Sequence, residues 1–213
     1  MKILDISWPI SEAITAYKDK NTVKFERVRS IEKDNMRDSL IALSSHTGTH
    51  VDAPSHFIKD GLTIDQIKLE RLVGPCKVLS MLLVDEKITA DDLMVYDIQE
   101  GDIILLKTNN SAQGATDKFD YDYVYLDESG ARYLGEKKVK AVGIDYLSIE
   151  RSHPEHPTHM ALFKHDVVII EGLRLEHVVA GNYFFVALPL SIIGLEAAPA
   201  RAILISSFGE NGI

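Results

Sequence analysis

The chain has 213 residues, 46% hydrophobic and 26% charged, with a formal net charge of −9 and a pI near 5.3, a globular composition sized for one domain spanning 1–213 rather than two. The acidic balance, with no long Lys/Arg cluster, argues against nucleic acid or an anionic membrane surface and leaves small molecules as partners. A single cysteine, Cys76, excludes an internal disulfide framework; the start Met1–Ser7 lacks the features of a signal peptide, and no run reaches the roughly 18 apolar residues of a membrane span. A reducing, cytoplasmic setting is the expectation.

In chain order, Met1–Ser7 alternates as a short strand, followed by a turn at Trp8-Pro9 and a polar loop carrying Tyr17. Residues 23–31 and 39–44 have strand-like spacing around a polar turn, which predicts a hairpin whose second strand leads into a histidine-rich segment. That segment reads His46-Thr-Gly-Thr-His50-Val-Asp52-Ala-Pro-Ser-His56-Phe57, three of the chain's eight histidines within eleven residues. Gly48 and Pro54 rule out a regular helix there. In extended chain, residues two apart share a side, so His50 and Asp52 can converge, and Gly48 lets His46 curl toward them. Imidazole and carboxylate together suit zinc, manganese or ferrous iron with positions left open. His56, just beyond Pro54, is either a fourth ligand or an acid/base group suited to neutral pH, and the second role is the better reading.

Residues 64–72 suit a short helix, and Cys76–Val84 is a dense apolar strand with Cys76 a buried thiol. Thr89 reads as a helix N-cap, and Asp102–Thr108 as a buried strand whose carboxyl end places Lys107 and Asn109 where ligands gather in open α/β sheets, although a solvated loop is the simpler reading of each. Residues 111–125 form a candidate lid or oligomer contact. A helix over 129–134 precedes a strand over 139–144 that ends on Asp145, either an orienting residue or a loop cap. His153 and His156 lie in a Pro-flanked loop; Pro157 opens a helix to Lys164 carrying His159. Val167–Glu171 is a buried strand, and a carboxylate completing it needs a cationic partner, either a metal or a salt bridge to Arg174 or a lysine. His165 and His177 read as surface or helix-end residues. Residues 183–190 and 201–206 complete the sheet, with 194–199 as loop. Strands alternating with short helices predict a single α/β domain.

The pattern His46-x-Gly-Thr-His50-x-Asp52-x-Pro54-x-His56-Phe57 resembles the signature of the metal-dependent cyclase family that includes bacterial kynurenine formamidase and isatin hydrolase. The resemblance continues through Gly143-Ile-Asp145, His159, Glu171 and Ala198-Pro-Ala-Arg201-Ala, nearly the whole chain. It implies the swivelling β/β/α fold and a homodimer or homotetramer. It further implies a first metal on His46, His50 and Asp52, a second on Asp52, His159 and Glu171, and His56 as the proton-transfer residue. In this family an aromatic near Tyr17 closes over substrate; tryptophan is expected there in kynurenine-selective members. Tyr17 and Phe57 are thus candidate substrate contacts.

Two divalent ions, zinc or manganese, would generate hydroxide near neutral pH and polarise a carbonyl. With His56 moving the proton, the reading is hydrolysis of a C–N bond in a small amide, an aryl formamide or a cyclic amide. Two alternatives stand beside it: a mononuclear non-haem iron oxygenase using His50, Asp52 and His159, and a non-catalytic metal-binding protein.

Overall fold

In the computed structural model, which describes residues 1–206, the chain opens with β1 (Lys2–Asp5) and a hairpin of β2 (Lys24–Arg29) and β3 (Asp38–Ala42), joined by one turn of helix, α1 (Ile31–Asp34). There follow β4 (His50–Asp52), β5 (Val73–Ser80), β6 (Lys87–Ile88), α2 (Ala90–Met94), β7 (Ile103–Lys107) and β8 (Tyr125–Leu126). The order ends with α3 (Glu128–Glu136), β9 (Ala141–Ile144), α4 (Pro157–Lys164), β10 (Val168–Glu171), β11 (Gly181–Pro189) and β12 (Ala197–Ser206).

The main sheet runs β12-β11-β5-β7-β9-β10-β4, and β4 pairs again with β12, closing a seven-position barrel. The mixed α/β architecture expected from the resemblance is therefore present. Closure depends on the ten-residue length of β12. Its first half, Ala197–Pro199, pairs with β4, and its second half, Ile203–Ser206, pairs with β1, so two short strands lie end to end in one position of the barrel. The Ile6 amide continues that ladder to the Ala202 carbonyl, and the Arg174 amide reaches the Ile6 carbonyl. Closure pairs β4 on both of its sides, while the β2–β3 hairpin stays outside the barrel as a separate two-stranded sheet.

Alternation along the strands sorts the apolar residues into two cores. Val51, Val78, Ile103, Leu105, Ile170, Phe185, Ala198 and Leu204 fill the barrel. Ile104, Leu106, Val142, Ile144 and Ile169 point outward and are covered by Leu134, Leu162 and Phe163 of the helices. Burial on both faces is why these strands read as unbroken apolar runs. Gly143 lies in this crowding: an added Cβ would come within 2.6 Å of Leu173 Cδ1 and 2.8 Å of Leu105 Cδ2.

Several expectations need adjustment. Residues 64–72 form two single helical turns, Ile64–Gln66 and Leu69–Arg71, rather than one helix, because Ile67 and Lys68 between them are extended. The loop expected over 194–199 is half strand, since Ala197–Pro199 are taken up by pairing with β4. Residues 111–125 are not a lid. Phe119, Tyr123 and Val124 are buried, the first two against Trp8, Ile14 and Tyr146, and this anchors the segment as a wall. Among the described residues no helix is long and apolar enough to cross a membrane.

Asp145 caps a loop. Its carboxylate accepts from the Thr108 amide (2.9 Å), the Thr108 hydroxyl (2.7 Å) and the Ser111 hydroxyl (2.7 Å). Burial pushes it up to about 6, against the pull of those bonds. The Asp145→Ala variant strands three buried donors, and should lose about 3 kcal/mol, roughly 6–12 °C in Tm for a domain of this size. Thermal unfolding followed by circular dichroism checks this; an unchanged Tm would mean that the loop holds without its cap.

Candidate metal centre

The centre begins with the parity of β4. Val51 points into the barrel, so His50 and Asp52 on either side point out. β10 lies antiparallel beside it with Glu171 opposite His50 and Ile169 opposite Asp52. Directly opposed residues share a face with Cβ atoms about 5 Å apart, which brings both carboxylates and the imidazole to one place. The turn before β4 supplies His46. Gly48 has φ +62°, and Gly172, φ +69°, follows Glu171; a Cβ on Gly172 would fall on the Gly48 carbonyl. The end of β10 and the histidine turn thus touch backbone to backbone. Thr49 locks them, donating to the Gly172 carbonyl (2.5 Å) and accepting from the Trp8 amide (2.7 Å).

His159 arrives from α4, which packs across the outer face of the barrel. Pro157 occupies the first helical position as expected, and the Thr158 hydroxyl donates to the Leu126 carbonyl. His56 closes the helical turn Pro54–His56, its ring 4.3 Å from that of His46 and 6.2 Å from that of His159.

The six side chains therefore converge. His46 Nδ1 is 3.0 Å from Asp52 Oδ1, and His50 Nε2 is 3.4 Å from the same oxygen. Glu171 Oε2 lies 3.3 Å from His50 Nε2 and its Oε1 3.3 Å from His159 Nε2. Asp52 Oδ2 is 3.9 Å from His159 Nε2. Asp52 thus turns one oxygen to His46 and His50 and the other to His159. Donor atoms held about 2.0–2.1 Å from a tetrahedral ion stand about 3.3 Å apart, which most of these separations match.

The chemistry of the donors points the same way. His50 Nε2 and both Asp52 oxygens are buried without any hydrogen-bond partner, although buried polar groups are otherwise almost always satisfied. The second ring nitrogens are engaged: His50 Nδ1 meets the Gly48 carbonyl at 2.9 Å and His159 Nδ1 meets Glu150 Oε2 at 2.6 Å. Such bonds put the proton on Nδ1 and leave Nε2 as a lone-pair donor. The residues fit a divalent cation.

Protons occupy that role when cations do not. Burial alone would lower His50, but the Asp52 and Glu171 carboxylates overcome it and raise it to about 9. Burial also opposes protonation of His159, which Glu150, Glu171 and Asp52 raise to about 10. Burial pushes Glu171 upward, yet His159 and His50 hold it well below the usual carboxylate range. For Asp52, burial and Glu171 push upward and the histidines outweigh them. His56 moves the other way: burial lowers it, leaving a neutral ring at pH 7.

A cavity of about 420 Å³ opens directly on the cluster, walled by Tyr17, Val23, Phe57, Leu147, Arg151 and His156. Both aromatic residues named from the sequence, Tyr17 and Phe57, are in the wall. Phe57 stacks on His156 at 4.1 Å, and the Tyr17 hydroxyl lies 3.1 Å from Ser152 Oγ. Segment 111–125 backs this wall through the Tyr17–Phe119 contact at 5.1 Å.

Other candidates lie elsewhere. Lys107 donates to the Glu176 and Val178 carbonyls and Asn109 to that of Leu82. Arg174, the alternative partner for Glu171, instead covers the Trp8 ring and donates to the Ser111 and Gln113 carbonyls. His165 caps the end of α4 and His177 is exposed. Two carboxylates escaped sequence reasoning: Glu150 behind His159, and Glu196, which accepts from Ser45 (2.5 Å) and lies 3.4 Å from His46 Nε2. Both sit in irregular segments with no periodic signature.

Known proteins resemble this chain along nearly its whole length. Residues 4–151 match the family model described as "Putative cyclase". The kynurenine formamidase of Bacillus anthracis is 30% identical over 205 residues, 95% of this chain and 97% of that protein. A solved structure of a potential metal-dependent hydrolase with cyclase activity is 45% identical with a TM-score of 0.86, covering 95% of this chain and 96% of the other. Isatin hydrolase A from Labrenzia aggregata shares the fold at 21% identity, TM-score 0.82, over 97% and 94% of the two chains.

The raised histidines give a signed pH dependence. A group raised on folding contributes stability that is complete below its ordinary pKa, about 6.5, and is lost as pH climbs through its folded value. Chelator-stripped protein should lose Tm between pH 6.5 and 10, the window set by His50 and His159. Zinc added at pH 7 should displace those protons, seen calorimetrically as a binding heat that varies with the ionisation enthalpy of the buffer. A flat Tm across that window, or a heat independent of buffer, would contradict the arrangement.

Proposed function

The chain belongs to the cyclase family and is a metal-dependent amide hydrolase, and from that premise we propose that it cleaves the C–N bond of an aryl formamide or a cyclic amide at a two-ion centre. The observation that carries the reading is the set of buried, partnerless donors on His50 and Asp52, facing Glu171 and His159 beside an apolar cavity. His46, His50 and Asp52 would hold one ion, and Asp52, His159 and Glu171 the other. Zinc suits these nitrogen and oxygen donors, as does manganese. Such ions supply a Lewis acid for the carbonyl and acidify water toward neutral pH.

The chain's own groups do the rest. A cavity of this volume accepts one small aromatic molecule, and Phe57, Leu147 and Val23 offer it apolar faces. His56, lowered by burial, is neutral at pH 7 and so can take the proton of the attacking water, then return it to the departing nitrogen. The surrounding burial keeps bulk water from competing for either transfer. Tyr17 stands where kynurenine-selective relatives are expected to carry tryptophan, which favours a substrate differing from N-formylkynurenine in the group that meets this wall.

The oxygenase alternative uses only His50, Asp52 and His159. Glu171 lies 3.3 Å from both histidine nitrogens and fills the face that such a triad leaves open. A purely metal-storing role has no use for His56 or for the cavity.

Two variants test the reading. His56→Ala should keep its metal and lose about 10²–10⁴-fold in kcat on an N-formyl arylamine, measured with zinc and with manganese; full activity would remove His56 from the reaction. Glu171→Ala should lose at least one ion per chain by elemental analysis. If loaded wild-type protein turned over no formamide, cyclic amide or ester in a panel, the amide reading would fall.

A further inference from the structure

We propose that Glu150 is a positioning residue that makes the two ion sites unequal, fixing the tautomer and aim of His159 by setting a carboxylate behind its imidazole. The inference rests on the metal reading above. Glu150 lies in the loop between β9 and α4 and is 4% exposed. Its Oε2 takes two donors from one residue, the His159 ring Nδ1 at 2.6 Å and the His159 amide at 3.2 Å. Its Oε1 is buried with no hydrogen-bond partner. The neighbouring Ile149 amide donates to Glu171 Oε1 at 2.7 Å. One dipeptide therefore orients two candidate ligands of the same ion.

A simpler role exists for Glu150. The N-cap of α4, His156, has positive φ and gives no side-chain cap, so Glu150 satisfies the amide of the third helical residue and complements the helix dipole. A cap does not require the ring bond, however. With Nδ1–H donated to Glu150, Nε2 presents a lone pair to the space between Glu171 and Asp52; in the other tautomer a proton would occupy it. His50 provides the internal contrast, because its Nδ1 meets the neutral Gly48 carbonyl. A carboxylate behind an imidazole makes it a stronger donor than a carbonyl does, and its loss typically weakens metal binding 10–100-fold.

The Glu150→Gln variant separates the roles, since the amide oxygen still accepts from both His159 donors but carries no charge. In chelator-competition titrations of the full chain with zinc, one of two equivalents should weaken at least ten-fold while the other binds as in wild type. With cobalt, the d–d absorption of that equivalent should shift. Glu150→Ala, losing tether and cap together, should weaken the same equivalent further and also lower Tm. If Glu150→Gln bound both equivalents as wild type does, with an unchanged cobalt spectrum, Glu150 would be a cap alone and the inference would fall. A wild-type chain that bound neither metal would overturn the metal reading and this inference with it.

Discussion

The structure depends on an electrostatic debt at one seam. Two carboxylates, Asp52 and Glu171, are buried almost completely with three imidazoles around them, and both Asp52 oxygens and His50 Nε2 carry no hydrogen bond. Ionised carboxylates in an apolar setting are costly unless something positive meets them. Without cations, protons on His50 and His159 meet that need, which is why both are raised against the effect of burial. Divalent ions meet it more completely and free the histidines to act as donors.

The barrel makes such a seam possible. Its interior is filled by an apolar cluster, and the candidate ligands lie on the outer face, where β4 and β10 meet and α4 covers them. β4 is only three residues long because it shares its place in the barrel with β1. A strand so short would hold poorly alone; pairing with β10 on one side and β12 on the other fixes its register. Register matters here more than elsewhere, since a slip of one residue would turn His50 and Asp52 into the barrel and Val51 out.

Around the donors the second ring nitrogens meet different partners: a carbonyl for His50 and a buried carboxylate for His159, whereas His46 Nε2 makes no hydrogen bond and has the one-third exposed Glu196 carboxylate 3.4 Å away. The cavity extends the same logic outward: its walls come from the loop of Tyr17, the turn of Phe57 and the approach to α4, braced by the aromatic cluster of Trp8, Phe119, Tyr123 and Tyr146. The cavity walls are thus supplied by loops, while the candidate ligands His50, Asp52, Glu171 and His159 sit on strands and a helix of the closed scaffold.

What the sequence by itself determined is what short-range physics encodes. Alternation placed His50 and Asp52 on one side of an extended chain, Gly48 marked the turn that returns His46, Thr89 and Pro157 marked helix starts, and the apolar run ending in Glu171 announced a carboxylate in need of a cation. The long histidine motif made the family legible as well. Tertiary structure alone decided that β4 lies between β10 and β12, that Ala197–Pro199 is strand rather than loop, and that Asp145 caps a loop instead of facing the site. It also decided that Glu150 and Glu196 stand behind histidines 9 and 150 residues away in the chain. Periodicity reports which face a residue occupies, whereas the identity of the opposing face follows from how the barrel closes, and closure is a property of all seven positions together.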